Sequence, residues 1–180
     1  MEIIPTPFEG LLLIEPRVFR DSRGTFVETW NKEAFAAAGL FHRYVQDNQS
    51  VSARDVLRGL HVQLPPHQQG KLVRVVHGSV LDIALDLRKD QPTFGRHYSL
   101  VLSAAGNRLL YIPPGFAHGF RSLEHGTVFS YKCTAAYHGP SDRVIRWNDP
   151  ALGIDWGTED PHLSDKDRNA PLFKDFDNPF

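Results

Sequence analysis

Residues 71–87, K-L-V-R-V-V-H-G-S-V-L-D-I-A-L-D-L, constrain the fold of this chain more than any other stretch. Two apolar runs flank the pair His77-Gly78, and an X-Gly pair suits a tight turn that needs positive φ. In the second run Leu81, Ile83, Leu85 and Leu87 alternate with Asp82 and Asp86. A period of two belongs to a β-strand with one apolar face and one partly polar face. A hairpin is therefore expected, with arms over 71–76 and 79–87. Elsewhere, turn residues interrupt short apolar runs about every ten residues, the rhythm of a sandwich or barrel and not of alternating βαβ units. Further strands are expected at 11–14, 26–30, 98–102, 109–112, 127–133 and 144–147, and Pro113-Pro114 stops the one before it. A single helix stands out: Asn31 reads as its N-cap, Glu33 lies in its first turn, 34–38 form its body and Gly39 ends it. After Asn148 the chain is rich in Pro, Asp and Gly, so 148–180 should wrap the barrel as loops and short helices. One all-β domain over 1–180 is the expectation.

Composition removes several classes of function. Lys+Arg 20 against Asp+Glu 21 leaves a formal charge of -1, so no global field draws nucleic acid or a membrane surface. An anionic ligand would have to be held by local arginines. The lone Cys133 cannot form an intrachain disulfide and suits a reducing cytosol. No basic segment followed by an apolar one opens the chain, and no apolar run reaches roughly 18 residues. A soluble cytoplasmic protein with no nucleic-acid or membrane partner is expected.

Chemistry concentrates in two runs, V-L-R-G-L-H-V-Q-L-P-P-H-Q-Q-G-K at 56–71 and P-P-G-F-A-H-G-F at 113–120. They look like the halves of a β-barrel metal site whose ligands have been replaced. The second keeps the spacing P-x-G-x-x-H, ending on His118. The first carries His61-x-Gln63 where a metal would want His-x-His, and Lys71 where it would want a carboxylate. A protonated Lys has three donors and no lone pair, so it cannot ligate a cation. Two His, a Lys and a Gln suit proton chemistry on an organic anion, with no metal or other cofactor. His61 and His118 each sit among glycines and apolar residues, where an unpartnered ring is costly to bury. Read singly, Lys71 is first of all an exposed charge at a strand end, and Tyr131, alternating with Phe129 and Cys133, is first of all core packing. Arg20, Arg23 and Arg58 could clamp phosphate bidentately or stand as solvated surface.

Nine runs in order resemble the dTDP-4-dehydrorhamnose 3,5-epimerase family. They are E-P-R-V-F-R-D-S-R-G (15–24), V-Q-D-N-Q-S (45–50), V-L-R-G-L-H (56–61), the block 70–88, P-T-F-G (92–95), I-P-P-G-F-A-H-G-F (112–120), Y-K-C-T (131–134), W-N-D-P (147–150) and L-S-D-K-D (163–167). The resemblance implies a cupin-type jelly roll (a double-stranded β-helix) with a few short peripheral helices. It implies metal-independent conversion of dTDP-4-dehydro-6-deoxy-D-glucose to dTDP-4-dehydro-L-rhamnose. On the matching positions it makes His61 the base, oriented by Asp167, with Asp165 as the nearby rival. Lys71 then faces the C4 oxygen, Tyr131 is the acid on the opposite face and His118 contacts the hexose. Arg23 and Arg58 fall where the diphosphate is held, and Phe19 and Tyr137 where the thymine stacks. Glu28, Gln46 and Asn48 fall beside them as polar contacts.

The chain departs from the family pattern at Val62, Ser130 and Pro140. These bear on pocket shape and keep two alternatives in view: a single-carbon 3-epimerase, and a nucleotide-sugar-binding cupin without turnover. A metal-dependent cupin is opposed by Gln63 and Lys71. The resemblance also implies a homodimer in which N-terminal strands cross to the partner.

Overall fold

A computed structural model of the chain describes residues 1–40 and 43–180. Strands β1 (Glu2–Pro5), β2 (Leu12–Glu15), β3 (Val18–Asp21) and β4 (Gly24–Val27) precede helix α1 (Lys32–Ala37). Next come β5 (Gln46–Ser52), β6 (Leu57–Gln63), β7 (Lys71–His77), β8 (Ser79–Asp86) and β9 (His97–Ser103). Strands β10 (Leu109–Ile112), β11 (Phe116–Ser122), β12 (Thr127–Cys133) and β13 (Asp142–Val144) follow, and helix α2 (Asp165–Arg168) lies near the C-terminus. One sheet runs β1-β2-β10-β7-β12-β5 and the facing sheet β13-β6-β11-β8-β9. Hairpin β3-β4 makes a third, two-stranded sheet. The ladders are antiparallel, and the result is the jelly roll that the resemblance implies.

The expected hairpin over 71–87 is not one. β7 pairs with β10 and β12, whereas β8 pairs with β11 and β9 in the other sheet. Gly78, at φ 77, is a corner where the chain changes sheet. Alternation specifies which face of a strand is buried but not which strand lies beside it. Val73 and Val75 of β7 and Val80 and Ala84 of β8 meet across one core with Leu110, Phe116, Phe120 and Phe129. The two strands are therefore opposite each other, not adjacent.

The other face of β8 is covered by residues of the C-terminal segment. Ile83, Leu85 and Leu87 are fully buried against Trp147, Leu152 and Trp156, with Phe173, Phe176 and Phe180 around them. Each such side chain contributes about 1.5–3 kcal/mol on burial. Helix α1 also forms as expected: Asn31 Oδ1 accepts from the Glu33 and Ala34 amides, and Gly39 takes φ 82 beyond its end. Its Phe35 covers Ile14, Leu72 and Leu109 on the outer face of the first sheet.

Two strand boundaries differ from expectation. The strand expected at 26–30 stops at Val27, because the chain turns there toward the Asn31 cap and Trp30 packs edge-on against Tyr44. The strand expected at 144–147 is β13 at Asp142–Val144. Strands β1, β3, β5, β6 and β11 lacked a clear signal. β5 reads Q-D-N-Q-S-V-S because its inner face lines a cavity and not a core, and β6 and β11 are interrupted by glycines at a bulge.

Candidate active site

That bulge builds the site. Along β11, His118 opposes His61 and Phe120 opposes Arg58, so two steps on β11 span three on β6. The extra residue brings Arg58 and His61, which strict alternation would separate, to the same cavity. Only glycines permit it. A Cβ on Gly59 would lie 2.5 Å from Gly119 Cα, and one on Gly119 would lie 2.8 Å from Arg58 O. Gly59 also takes φ 142. The glycines of R-G-L-H and A-H-G-F thus set two backbones close together so that two imidazoles stand side by side.

Each imidazole has its own buried carboxylate. His61 Nε2 lies 2.8 Å from Asp167 Oδ1, and the Asp167 side chain is 4% exposed. Helix α2 delivers that carboxylate: Ser164 caps the helix, accepts from the Asp167 amide and donates to Asp167 Oδ2 at 2.8 Å. Asp165, the rival, sits exposed in the first turn of α2. His118 Nε2 lies 3.0 and 3.1 Å from the two oxygens of Asp82, which is fully buried. The partly polar face of β8 is therefore an inner face, and Asp82 supports the site from it. Nε2 of His61 is close to Asp167 Oδ1 without the alignment of a hydrogen bond, and an Nε2–H held by that charge leaves Nδ1 as the nitrogen to accept a proton. Burial would push the His61 pKa down, but contacts with Asp142 and Asp167 outweigh it and leave the ring more basic than usual.

Lys71 lies on the inner face of β7 with Val73 and Val75, at the cavity. Burial pushes its ammonium below the usual lysine range, opposed by Cys133, Asp142 and Asp82. Tyr131 and Cys133 reach the same cavity from β12, and burial raises the pKa of both groups. A phenol shifted upward stays protonated and able to donate. The cavity, about 550 Å³, is closed by a polar wall from β5 that includes Gln46, Asn48 and Ser50. Gln46 donates to Asn48 Oδ1 at 3.0 Å and accepts from the Tyr137 amide at 2.7 Å. Tyr137 lies at the rim, 61% exposed, and Arg58 lines the cavity with its Nε 3.4 Å from Ser52 Oγ. Gln63 is no ligand. Its amide donates to the carbonyls of His67 and Ala136 and accepts from the His138 amide.

Nine of the twelve residues singled out from the sequence meet at this cavity: His61, Lys71, Tyr131, Asp167, Gln46, Asn48, Arg58, His118 and Tyr137. Phe19, Arg23 and Glu28 do not. Phe19 is 46% exposed on the β3-β4 hairpin beneath the Arg17 guanidinium. Arg23 pairs with Asp21 at 2.6 Å, and Glu28 accepts from Asn31.

The residues 5–175 match the pattern of the dTDP-4-dehydrorhamnose 3,5-epimerase family. The chain belongs to that family. It is 50% identical to the dTDP-4-dehydrorhamnose 3,5-epimerase of Pseudomonas aeruginosa, over 93% of each chain. It superposes on the dTDP-6-deoxy-D-glucose-3,5-epimerase of Legionella pneumophila, solved with dTDP-4-keto-L-rhamnose, with a TM-score of 0.93. That match is 44% identical and covers 98% of this chain and 94% of the other. A 3'-monoepimerase from Streptomyces bikiniensis in complex with dTDP-quinovose aligns less closely, at TM-score 0.87 and 35% identity over 93% of this chain and 86% of that one.

Within the epimerase framework, sequence reasoning missed Asp142, Ser164 and Asp82. Asp82 was visible as a polar break in an apolar strand. Ser164 stood three residues before Asp167, a capping spacing. Asp142 carried no local mark.

Proposed function

We propose that this family member is an isomerase that inverts carbons flanking the 4-keto group of a dTDP-linked 6-deoxyhexose, turning dTDP-4-dehydro-6-deoxy-D-glucose into dTDP-4-dehydro-L-rhamnose. The observation that carries the residue assignment is one cavity presenting an Asp-backed His61, Lys71 and Tyr131 together. Nδ1 of His61 takes the proton from carbon beside the ketone. The C–H electrons form the enolate, whose negative charge settles on the C4 oxygen. Lys71 stabilises that oxygen, an electrostatic contribution available before the reaction begins. Tyr131 then delivers a proton to the opposite face, and solvent restores the phenol and the neutral imidazole. The whole of 1–180 would act as one unit.

At the rim, Arg58 suits the diphosphate and Tyr137 the thymine, with Gln46 and Asn48 beside them and His118 against the hexose. Metal independence is supported by the donor set, since protonated Lys71 has no lone pair and the Gln63 amide bonds backbone groups. We place Phe19, Arg23 and Glu28 in the site of a second copy. β1 and β2 are paired within their own sheet, whereas hairpin β3-β4 has no ladder to either large sheet and exposes Phe19 and Phe26. The hairpin is therefore the crossing element of the homodimer. Cys133, a buried free thiol, suits a cytoplasmic setting.

Incubation with the 4-keto sugar nucleotide in deuterated water tests this directly. Label at both C3 and C5, with inversion, is expected. Label at C3 alone would make the protein a 3-epimerase, and tight binding without any exchange would leave a binding protein. His61→Asn should bind dTDP but exchange nothing. Tyr131→Phe should exchange while losing inversion.

A further inference from the structure

Asp167 is not the only carboxylate facing the candidate base. Asp142 Oδ1, from β13, lies 3.8 Å from Nδ1 of His61, the nitrogen opposite the Asp167 contact. At that distance the contact is Coulombic and not a hydrogen bond. The other oxygen, Oδ2, is held by two groups. Lys166 Nζ lies 2.5 Å away, and the Tyr137 hydroxyl donates to it at 3.1 Å. Lys166 and Asp167 are consecutive residues of α2, so one short helix secures both carboxylates around the ring.

We propose that Asp142 is a positioning residue: its fixed negative charge strengthens His61 as a base, and its bond to Tyr137 links that charge to nucleotide stacking. This rests on His61 being the base. Burial would raise the Asp142 pKa, yet His61 and Lys166 hold it down to about 2, so the carboxylate is ionised across the working range. The other groups facing His61 are Asp167 on α2, His118 opposite it on β11, Lys71 on β7 and Tyr131 on β12. Of these, Lys71 opposes protonation of the ring and Asp167 favours it. When His61 takes the substrate proton, the new imidazolium lies between two anions.

The test is an NMR titration of His61 in the ligand-free dimer, paired with the pH profile of deuterium exchange. Asp142→Asn keeps the shape and the Tyr137 bond but removes the charge. The His61 midpoint should fall by about one pH unit, the low end for loss of an opposite charge at this range, and the acid limb of the exchange profile should move with it. Lys166→Met removes the cation beside Asp142 and should move both upward. Opposite signs from the two variants are the signature. A residue that only contacts substrate would raise KM at all pH values and leave the midpoint still, and that result would overturn the proposal. The titration needs no turnover, so it is read independently of whether the protein epimerises the sugar.

Discussion

Gly119→Ala isolates the link between backbone approach and catalysis. Gly119 does not occupy the left-handed region, so an alanine there meets no φ penalty and the whole effect comes from one methyl. That methyl would lie 2.8 Å from Arg58 O, 3.0 Å from Gly59 Cα and 3.3 Å from Leu60 Cδ2. Ordinary contact begins near 3.4 Å, so β6 must retreat by roughly 0.6 Å. Both nearest atoms are backbone or backbone carbon and cannot rotate away. Overpacking of this kind costs about 1–3 kcal/mol, and in a chain of this size each kcal/mol lowers Tm by about 2–4 °C. The same retreat displaces His61, three residues along β6 from Arg58, relative to Lys71 and Tyr131 on the other sheet. A misplacement approaching 1 Å can reduce turnover by about 100-fold, so a loss of at least tenfold in kcat is expected, with weaker dTDP binding because Arg58 moves with β6. Denaturant unfolding and deuterium exchange into the 4-keto sugar read the two effects. Wild-type stability together with wild-type exchange would refute the claim that the close approach positions His61.

Lys71→Met should lose exchange and inversion together by about 10²–10³-fold, as when an oxyanion donor is removed; loss of inversion alone would move Lys71 out of the abstraction step. Dialysis against a chelator should leave turnover unchanged, and activity restored only by added metal would contradict the donor-set argument. Exchange should rise with pH through the His61 pKa, which lies above the usual 6.5, because the neutral ring is the base. Folding stability runs the other way: the raised folded-state value contributes stability below about 6.5 that is lost as pH climbs through it. His61→Asn should abolish that decline in a stability-versus-pH series.

Much of the site was legible because its chemistry depends on residue type. A lysine in place of a metal-binding carboxylate and two histidines among glycines could be read from residue type, whereas the tyrosine read alone as core packing and took its role, like Asp167, only from the family resemblance. The twelve singled-out residues divide by location: nine converge on the cavity, while Phe19 and Arg23 sit on the β3-β4 hairpin and Glu28 just after it, outside the cavity lining. Asp165 and Asp167 were indistinguishable by composition. The turn of α2 separates them, exposing the first and burying the second beside His61.

Local order by itself determined the strand rhythm, the caps of α1, the stop at Pro113-Pro114 and the inward face of β12, since each depends on residues within a turn or two. Tertiary structure decided which strands are neighbours. The alternation in 79–87 marks a buried face correctly, yet β7 and β8 belong to different sheets because their valines fill a common core from opposite sides. Tertiary structure also decided that Asp82, Asp142 and Asp167 surround two histidines. Coulomb interaction depends on separation in space, and Asp167 stands about a hundred residues along the chain from the ring it touches.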